Sequence, residues 1–452
     1  MTNFFTENST IYKGIASGRM DVMGGIADYS GSRVLQKSIN ETTTIELVLR
    51  SDKYFRLLSK AEGVVFPEIN ININELISEQ EQQQKTQIDL STIRQKLKKV
   101  EGGEWAGYVL GCFILLFLDE KIPLEGADIY VSSEVPVGKG VSSSAALEVA
   151  TLKAIQTAYQ LDFQGTALPI LAQRVENLIV GAPCGLMDQL ASYFGNPRKL
   201  LPIDCRPDIL HPLIDIPSDL YFWGIDSGVR HSVEGASYSD VRTAAFMGYS
   251  IIAQAKGVSK AQIEYAKQHN DRSKLPYAGY LANITPSDFE YNFRKILPIN
   301  IKGSEFIAKY GTTIDTVTTI QPNTVYDVLA CTLHPIMENF RVVLFGQLLQ
   351  SLSNTVLNAA ERKAIFVSLG ELMYQAHESY TMCKVGNIHT DEIVQLAKKY
   401  GADNGIYGAK ITGGGSGGTV CILADTQKGS QTIKLIFEEY KSKIGLDIKL
   451  FE

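Results

Sequence analysis

Val137-Gly138-Lys139-Gly140-Val141-Ser142-Ser143-Ser144-Ala145-Ala146 follows the strand-like run Ile129-Tyr130-Val131 and opens an apolar-periodic helix that continues to about Tyr159. Glycines let a backbone approach a ligand closely, and the free N–H groups and dipole at a helix N-terminus favour a phosphate. An ordinary helix start needs one capping serine. Three serines after a glycine pair point to anion binding, with hydroxyls to spare for a metal ion. The segment is not a Walker A loop, because Gly140 stands after Lys139 where that loop needs Ser or Thr. The catalytic loop and Asp-Phe-Gly combination of protein kinases is also missing.

Outward from this turn, two more segments carry chemistry. Thr412-Gly413-Gly414-Gly415-Ser416-Gly417-Gly418 lies between the strand-like runs IYGAKI and TVCIL. A flexible linker would not be flanked so tightly by sheet sequence, so the reading is a loop packed near a phosphate site. A dinucleotide fingerprint is excluded because a strand, not a helix, follows the glycines. Near the N-terminus, Gly18-Arg19-Met20-Asp21-Val22-Met23-Gly24-Gly25-Ile26-Ala27-Asp28-Tyr29-Ser30-Gly31 sets Arg19 and Asp28 among small residues, the composition of a cleft wall. Asp188, in Cys184-Gly185-Leu186-Met187-Asp188-Gln189, is a carboxylate in a largely apolar run and needs a partner if buried.

The remaining chain reads as an ordinary globular protein. It has 452 residues, 45% hydrophobic, and a net charge of −6 from 43 basic and 49 acidic side chains. No basic stripe suggests nucleic acid as a partner. The six cysteines are scattered and without zinc-like spacing, as expected of free thiols in a reducing cytosol. The N-terminus lacks the pattern of a signal peptide, and no apolar stretch reaches the roughly 20 residues of a bilayer span, so a cytoplasmic protein without membrane contact is expected. Short early strands separated by turn chemistry are predicted over 12–25, 27–32 and 33–39, followed by a β-branched run at 42–49, and Ile69, Ile71 and Ile73 alternate with asparagines as in a half-buried strand over 69–76. The Gln-rich stretch 78–87 and the basic cluster Arg94, Lys96, Lys98 and Lys99 read as solvated surface. Helices are expected over 104–118, 166–180, 237–257, 338–353 and 357–382, with the weakly periodic residues 258–335 forming an insertion.

Taken together and in this order, the three glycine-rich segments resemble the motifs of the GHMP kinases. Within them ASGRMDVMGGIADYSG, VPVGKGVSSSAALEVA, VENLIVGAPCGLMDQLAS, DSGVRHSVEGASYSDVR and GAKITGGGSGGTV are similar to the sugar 1-kinase branch, the galactokinases and the kinase portion of plant-type L-arabinokinases. The resemblance implies an α/β and α+β fold. An N-terminal domain of ribosomal-protein-S5-like topology is placed at 1–205 and a ferredoxin-like C-terminal domain at 206–452. It also implies ATP as co-substrate, with Gly138, Gly140, Ser142, Ser143 and Ser144 around its phosphates and Gly413, Gly414 and Gly415 supporting them. By the same analogy Ser144 and Glu176 hold Mg²⁺, Asp188 accepts the proton of the acceptor hydroxyl, and Arg19 orients Asp188. Asp28, Gly25, Ile26, Gly185 and Tyr238 contact the sugar.

One departure bears on the acceptor. Galactokinases have Gly-Glu-His-Thr-Asp-Tyr where this chain has Gly24-Gly25-Ile26-Ala27-Asp28-Tyr29. The Glu and His of that pattern bind the exocyclic hydroxymethyl group, and a buried hydroxyl left unpaired costs about 1–3 kcal/mol. L-Arabinopyranose has the galactose ring configuration without that group, so the expected product is β-L-arabinose 1-phosphate. The competing expectations are a galactokinase or uronic-acid 1-kinase, a non-catalytic sugar and ATP sensor, and a GHMP-fold enzyme acting on an isoprenoid or amino acid.

Overall fold

The computed structural model describes residues 4–6, 9–61, 64–85, 88–182, 184–206, 208–230 and 236–452. Residues 231–235 of the motif DSGVRHSVEGASYSDVR therefore lie outside the described residues. The chain divides into two compact units that do not follow a single cut. Unit 1 comprises Met1–Arg19, Ser38–Val137 and Val141–Gly195; unit 2 comprises Met20–Lys37, Gly138–Gly140 and Asn196–Glu452.

Unit 1 is a sheet with helices packed on one face. Thr43 to Leu49 pair antiparallel with Ser133 to Ala127, and Phe55 to Ala61 run parallel to the same strand on its other side. Ile45 and Leu47, Phe55 and Leu57, and Ala127, Ile129 and Val131 alternate into one apolar core, the period-two consequence of a pleated strand with one covered face. The helix Gly103–Leu118 crosses that core and is buried on nearly all sides. At Gly111 a Cβ would lie 2.6 Å from a Val175 methyl, so glycine sets how closely this helix meets the next element. That element continues the helix Ala167–Arg174 as a single π-helical turn, Val175–Val180.

Two local expectations are corrected here. The strand predicted over 69–76 ends at Asn72, whose side chain accepts the Asn74 amide and whose own amide donates to Glu75, a reciprocal cap that starts the short helix Ile73–Leu76. Ile73 stays buried, so the third isoleucine serves a helix instead of a strand face. The basic cluster is not simply solvated. Arg94 donates to the carbonyl oxygens of Leu178 at 2.7 Å and Ile179 at 3.3 Å, and Lys96 donates to that of Leu76 at 2.7 Å. Arg94 thereby satisfies carbonyls at the C-terminal end of the π-helical turn, which have no partner within the helix.

Unit 2 is built on an antiparallel sheet ordered Ile406–Ile411, Thr419–Asp425, Leu220–Asp226, Leu450–Phe451. The helices Ile388–Tyr400 and Gly429–Ile444 give Ile393, Val394, Ile433, Ile436 and Tyr440 to its core. On the helix Ala359–Met382, Gly370 packs against Gly408 so closely that a Cβ on Gly408 would lie 2.4 Å from the Gly370 Cα. The helix Val328–Asn354 begins ten residues before its predicted start. By length and composition its Val328–Ser353 segment meets the criterion for a membrane span, contrary to the sequence expectation. It is packed within unit 2 against the helices Ala236–Ala255 and Ala359–Met382, and it buries the ion pair Glu338–Arg341. The segment 258–335 folds into short helices whose Ile263, Phe289, Phe293 and Phe306 join the cluster that also holds Ile26, Tyr29 and Tyr238.

Candidate active site

In unit 1 the structure brings Arg19, Ser142 and Asp188 together. Arg19 sits on the strand Tyr12–Met23, Ser142 immediately precedes the helix Ser143–Tyr159, and Asp188 lies in the first turn of the helix Met187–Phe194. The Arg19 guanidinium donates through Nε (2.9 Å) and Nη2 (2.7 Å) to Asp188 Oδ1. The Ser142 hydroxyl donates to Oδ2 at 2.6 Å. The Arg19 side chain is only 4% exposed while that of Asp188 is 26% exposed, so the arginine is fixed and the carboxylate remains reachable. Arg19 also donates its backbone N–H to the Val141 carbonyl oxygen at 3.0 Å, which ties the strand to the serine segment.

Ser142 is in the left-handed region, φ 59°, and no side chain caps the helix that follows. The hydroxyl that would normally cap this 17-residue helix goes to Asp188. The helix start keeps its positive end for an anion. Two residues on, the Ser144 hydroxyl hydrogen-bonds the Glu176 carboxylate. Glu176 is carried by the π-helical turn, an element common at functional sites. Burial, and then the nearby Asp188 charge, push Glu176 up to about 7. Gln189 donates from one amide nitrogen to Glu176 (2.7 Å) and to Glu148 (3.2 Å). Glu148 is fully buried, and burial and the Glu176 charge hold its carboxyl well above the usual range. Gly185 lies in the loop before Asp188, where the neighbouring Cys184 amide donates to Asn177 at 2.9 Å.

These carboxylates crowd each other, and among the described residues no cationic side chain pairs with Glu176 or Glu148. Two oxygen donors, a hydroxyl and a carboxylate whose charge is disfavoured by burial, suit a hard divalent cation such as Mg²⁺. Ser144 and Glu176 are the residues that would hold it.

Unit 2 carries the rest of the predicted residues. Gly25, Ile26 and Asp28 lie in a tight turn, Gly25–Ser30, all of it buried. Three successive amides of this turn are received by three buried side chains: Gly24 by Glu338 (3.0 Å), Gly25 by Asp21 (3.0 Å) and Ile26 by the Tyr380 hydroxyl (2.9 Å). Asp21 also pairs with Lys410 at 2.6 Å, both side chains fully buried. Asp28 accepts the Tyr29 amide at 2.6 Å. Tyr238 meets Tyr29 edge to face, with ring centroids 6.1 Å apart. One helical turn beyond Tyr238, Arg242 is clamped by Asp315 through bonds of 3.0 and 2.8 Å, so the segment 258–335 supplies an anchor for the helix that carries Tyr238.

Gly138 and Gly140, with φ of 73° and 72°, shape the remaining part of the serine segment. The glycine-rich loop 412–418 grips it: the Thr419 hydroxyl donates to the Lys139 carbonyl oxygen at 2.8 Å and Thr412 to that of Gly140 at 3.2 Å. Lys139 Nζ pairs with Asp226 at 2.9 Å. Gly418 has φ 82° and a Cβ on it would lie 3.0 Å from the Lys139 carbonyl oxygen, so a side chain there would be strained. Gly413 and Gly415 have φ of 63° and 81°, and the Gly413 carbonyl oxygen accepts from the Tyr380 hydroxyl at 2.8 Å.

Sequence reasoning did not single out Gln189, Glu148, Glu338, Tyr380 or Lys410. Gln189 had a visible signal, its position next to Asp188. The others sit in regular helices or a strand, and only their long-range partners mark them.

Residues 107–196 match the N-terminal domain of the GHMP kinases and residues 362–442 match the GHMP kinases C-terminal domain. The chain is 39% identical to the L-arabinokinase of Arabidopsis thaliana over 99% of its own length, and spans 46% of that protein. It is 28% identical to a galactokinase of Chloroflexus aggregans, covering 95% of this chain and 88% of the relative. The fold is shared with Lactococcus lactis galactokinase in its galactose complex, at a TM-score of 0.72 and 19% identity over 99% of this chain and 94% of the other. With the N- and C-terminal domains both matched and the two-domain fold of these enzymes in place, the chain belongs to the GHMP kinase family, where these relatives are sugar kinases.

Proposed function

We propose that the chain is an ATP-dependent sugar 1-kinase whose acceptor is L-arabinose and whose product is β-L-arabinose 1-phosphate. The observation that carries the kinase reading is Asp188, held on one oxygen by Arg19 and on the other by Ser142, the residue that precedes the helix Ser143–Tyr159. In the reaction Asp188 takes the proton of the anomeric hydroxyl, the freed oxygen forms a bond to the γ-phosphorus, and the bond from that phosphorus to the β-phosphate oxygen breaks to release ADP. To receive that proton, Oδ2 exchanges the Ser142 hydroxyl for the sugar hydroxyl, while Arg19 keeps Oδ1 in place. Arg19 also offers fixed positive charge for the transferring phosphoryl group. Ser144 and Glu176 would hold Mg²⁺, which would supply positive charge for the phosphate oxygens. Glu176 would hold the ion in its deprotonated form.

The pentose assignment rests on the turn Gly25–Ser30. Residues 25 and 26 offer no polar side chain, while Asp28 keeps a carboxylate for ring hydroxyls. The name of the Arabidopsis thaliana relative supports the same choice. ADP release measured across L-arabinose, D-galactose, D-galacturonate, D-glucuronate and L-fucose tests it. L-Arabinose is expected to give the highest kcat/KM; a preference for D-galactose overturns the acceptor, and sugar binding without any ADP release overturns the kinase.

A further inference from the structure

Gly25 has φ 43°, and a Cβ built on it would lie 1.5 Å from the Tyr380 hydroxyl oxygen and 2.8 Å from Tyr380 Cζ. No side chain fits at residue 25 while Tyr380 stands where it does. The tyrosine cannot step aside cheaply. It is fully buried, its hydroxyl accepts the Ile26 amide (2.9 Å) and donates to the Gly413 carbonyl oxygen (2.8 Å), and its ring faces His334 edge-on, with centroids 5.3 Å apart. Lys410 Nζ lies 5.5 Å from the ring centroid and is itself committed to Asp21. One hydroxyl therefore closes the space beside Gly25 and joins the sugar turn to the glycine-rich loop.

We propose that Tyr380 is a specificity-determining positioning residue. It takes the volume in which a polar side chain at residue 25 would stand, so that selection for a sugar without an exocyclic hydroxymethyl group belongs to the pair Gly25 and Tyr380, not to residues 25 and 26 alone. This rests on the reading of the chain as a pentose 1-kinase. The pair also makes the order of change matter. A glutamate at position 25 displaces the tyrosine hydroxyl and with it the Ile26 amide, whereas leucine at 380 removes both clashing atoms and leaves an apolar stem.

The test compares Gly25→Glu with Ile26→His, Tyr380→Leu, and the triple variant, each assayed for ADP release with L-arabinose and D-galactose. The double variant is expected to lose about tenfold or more in kcat/KM on both sugars, and the triple variant to use galactose about tenfold better than the double. A double variant that already turns to galactose as far as the triple overturns the proposal, as does a triple variant worse on galactose than the double. Tyr380→Phe, which keeps the ring, is expected to raise KM for the sugar more than it lowers kcat; the opposite split overturns the positioning role. A sugar-free arm separates this inference from the kinase reading. Gly25→Ala should lower the melting temperature clearly more in the wild-type background than with Tyr380→Leu present. Such coupling without turnover of any sugar removes the kinase reading and keeps the pair. Turnover of L-arabinose without coupling removes the pair and keeps the kinase.

Discussion

Replacing Lys410 by methionine isolates the energetics of the sugar turn. Lys410 Nζ lies 2.6 Å from Asp21 Oδ2 with both side chains fully buried. The other carboxylate oxygen of Asp21 accepts from the Gly25 amide at 3.0 Å and from Gln36 Nε2 at 2.7 Å. Methionine fills most of the volume, so little of the effect is packing, but it leaves the buried carboxylate its two neutral donors without the lysine charge. Removing one member of a buried pair typically costs about 3–5 kcal/mol, because the remaining charge is uncompensated. The two amide-type donors soften this, which places Lys410→Met at about 3 kcal/mol, the lower end of that range. Urea unfolding of wild type, Lys410→Met, Asp21→Asn and the double variant measures the pair directly, and a coupling of about 2 kcal/mol or more is expected. Because Asp21 also holds the Gly25 amide, KM for the sugar should rise in Lys410→Met. A variant within about 1 kcal/mol of wild type, with additive double-variant energies, would refute the reasoning.

Other expectations follow from the same geometry. Asp188→Asn should lower kcat by about 10²–10⁴-fold, the usual contribution of a general base, while nucleotide binding followed by fluorescence titration is largely kept; wild-type turnover removes Asp188 from the proton transfer. Glu176→Gln should raise the Mg²⁺ concentration needed for half-maximal rate about tenfold or more, and an unchanged Mg²⁺ dependence excludes Glu176 as its ligand. Burial first, and then the Arg341 and Lys410 charges, hold His334 well below its ordinary value of 6.5. Below that pH the unfolded chain binds a proton that the folded chain refuses, so stability rises with pH up to about 6.5 and is flat above it, with a slope from this group of about 1.4 kcal/mol per pH unit. His334→Gln should reduce that slope in urea titrations between pH 5 and 7, and identical slopes contradict the assignment.

Much of the local structure was readable because it is written in neighbouring residues. The serine segment and its helix, the glycine-rich loop between two strands, and the helix over 104–118 follow from turn chemistry and periodicity. The misreadings have equally local causes. The isoleucine alternation at 69–73 satisfies a strand pattern, and only the reciprocal cap formed by Asn72 and Glu75 shows where it ends. Arg94 looked like a surface charge because nothing near it in sequence announces the carbonyls of residues 178 and 179. The acceptors of the sugar turn were hidden for a stronger reason. Glu338 and Tyr380 are 314 and 354 residues from the amides they receive, a separation no window of sequence can report.

The bond between Lys410 and Asp21 spans 389 residues, nearly the whole chain. At a synthesis rate of roughly 5–20 residues per second, Asp21 leaves the ribosome about 20–80 seconds before its lysine is made. Within that interval unit 1 is completed at Gly195, and the distant anchors of the turn at residues 24–30 arrive one after another, Glu338 first, then Tyr380 and last Lys410. The N-terminal segment 20–37 thus waits through the synthesis of most of unit 2 before its carboxylate finds a charge to meet. A nascent chain arrested before residue 410 should expose this segment to protease, and one released after residue 452 should protect it.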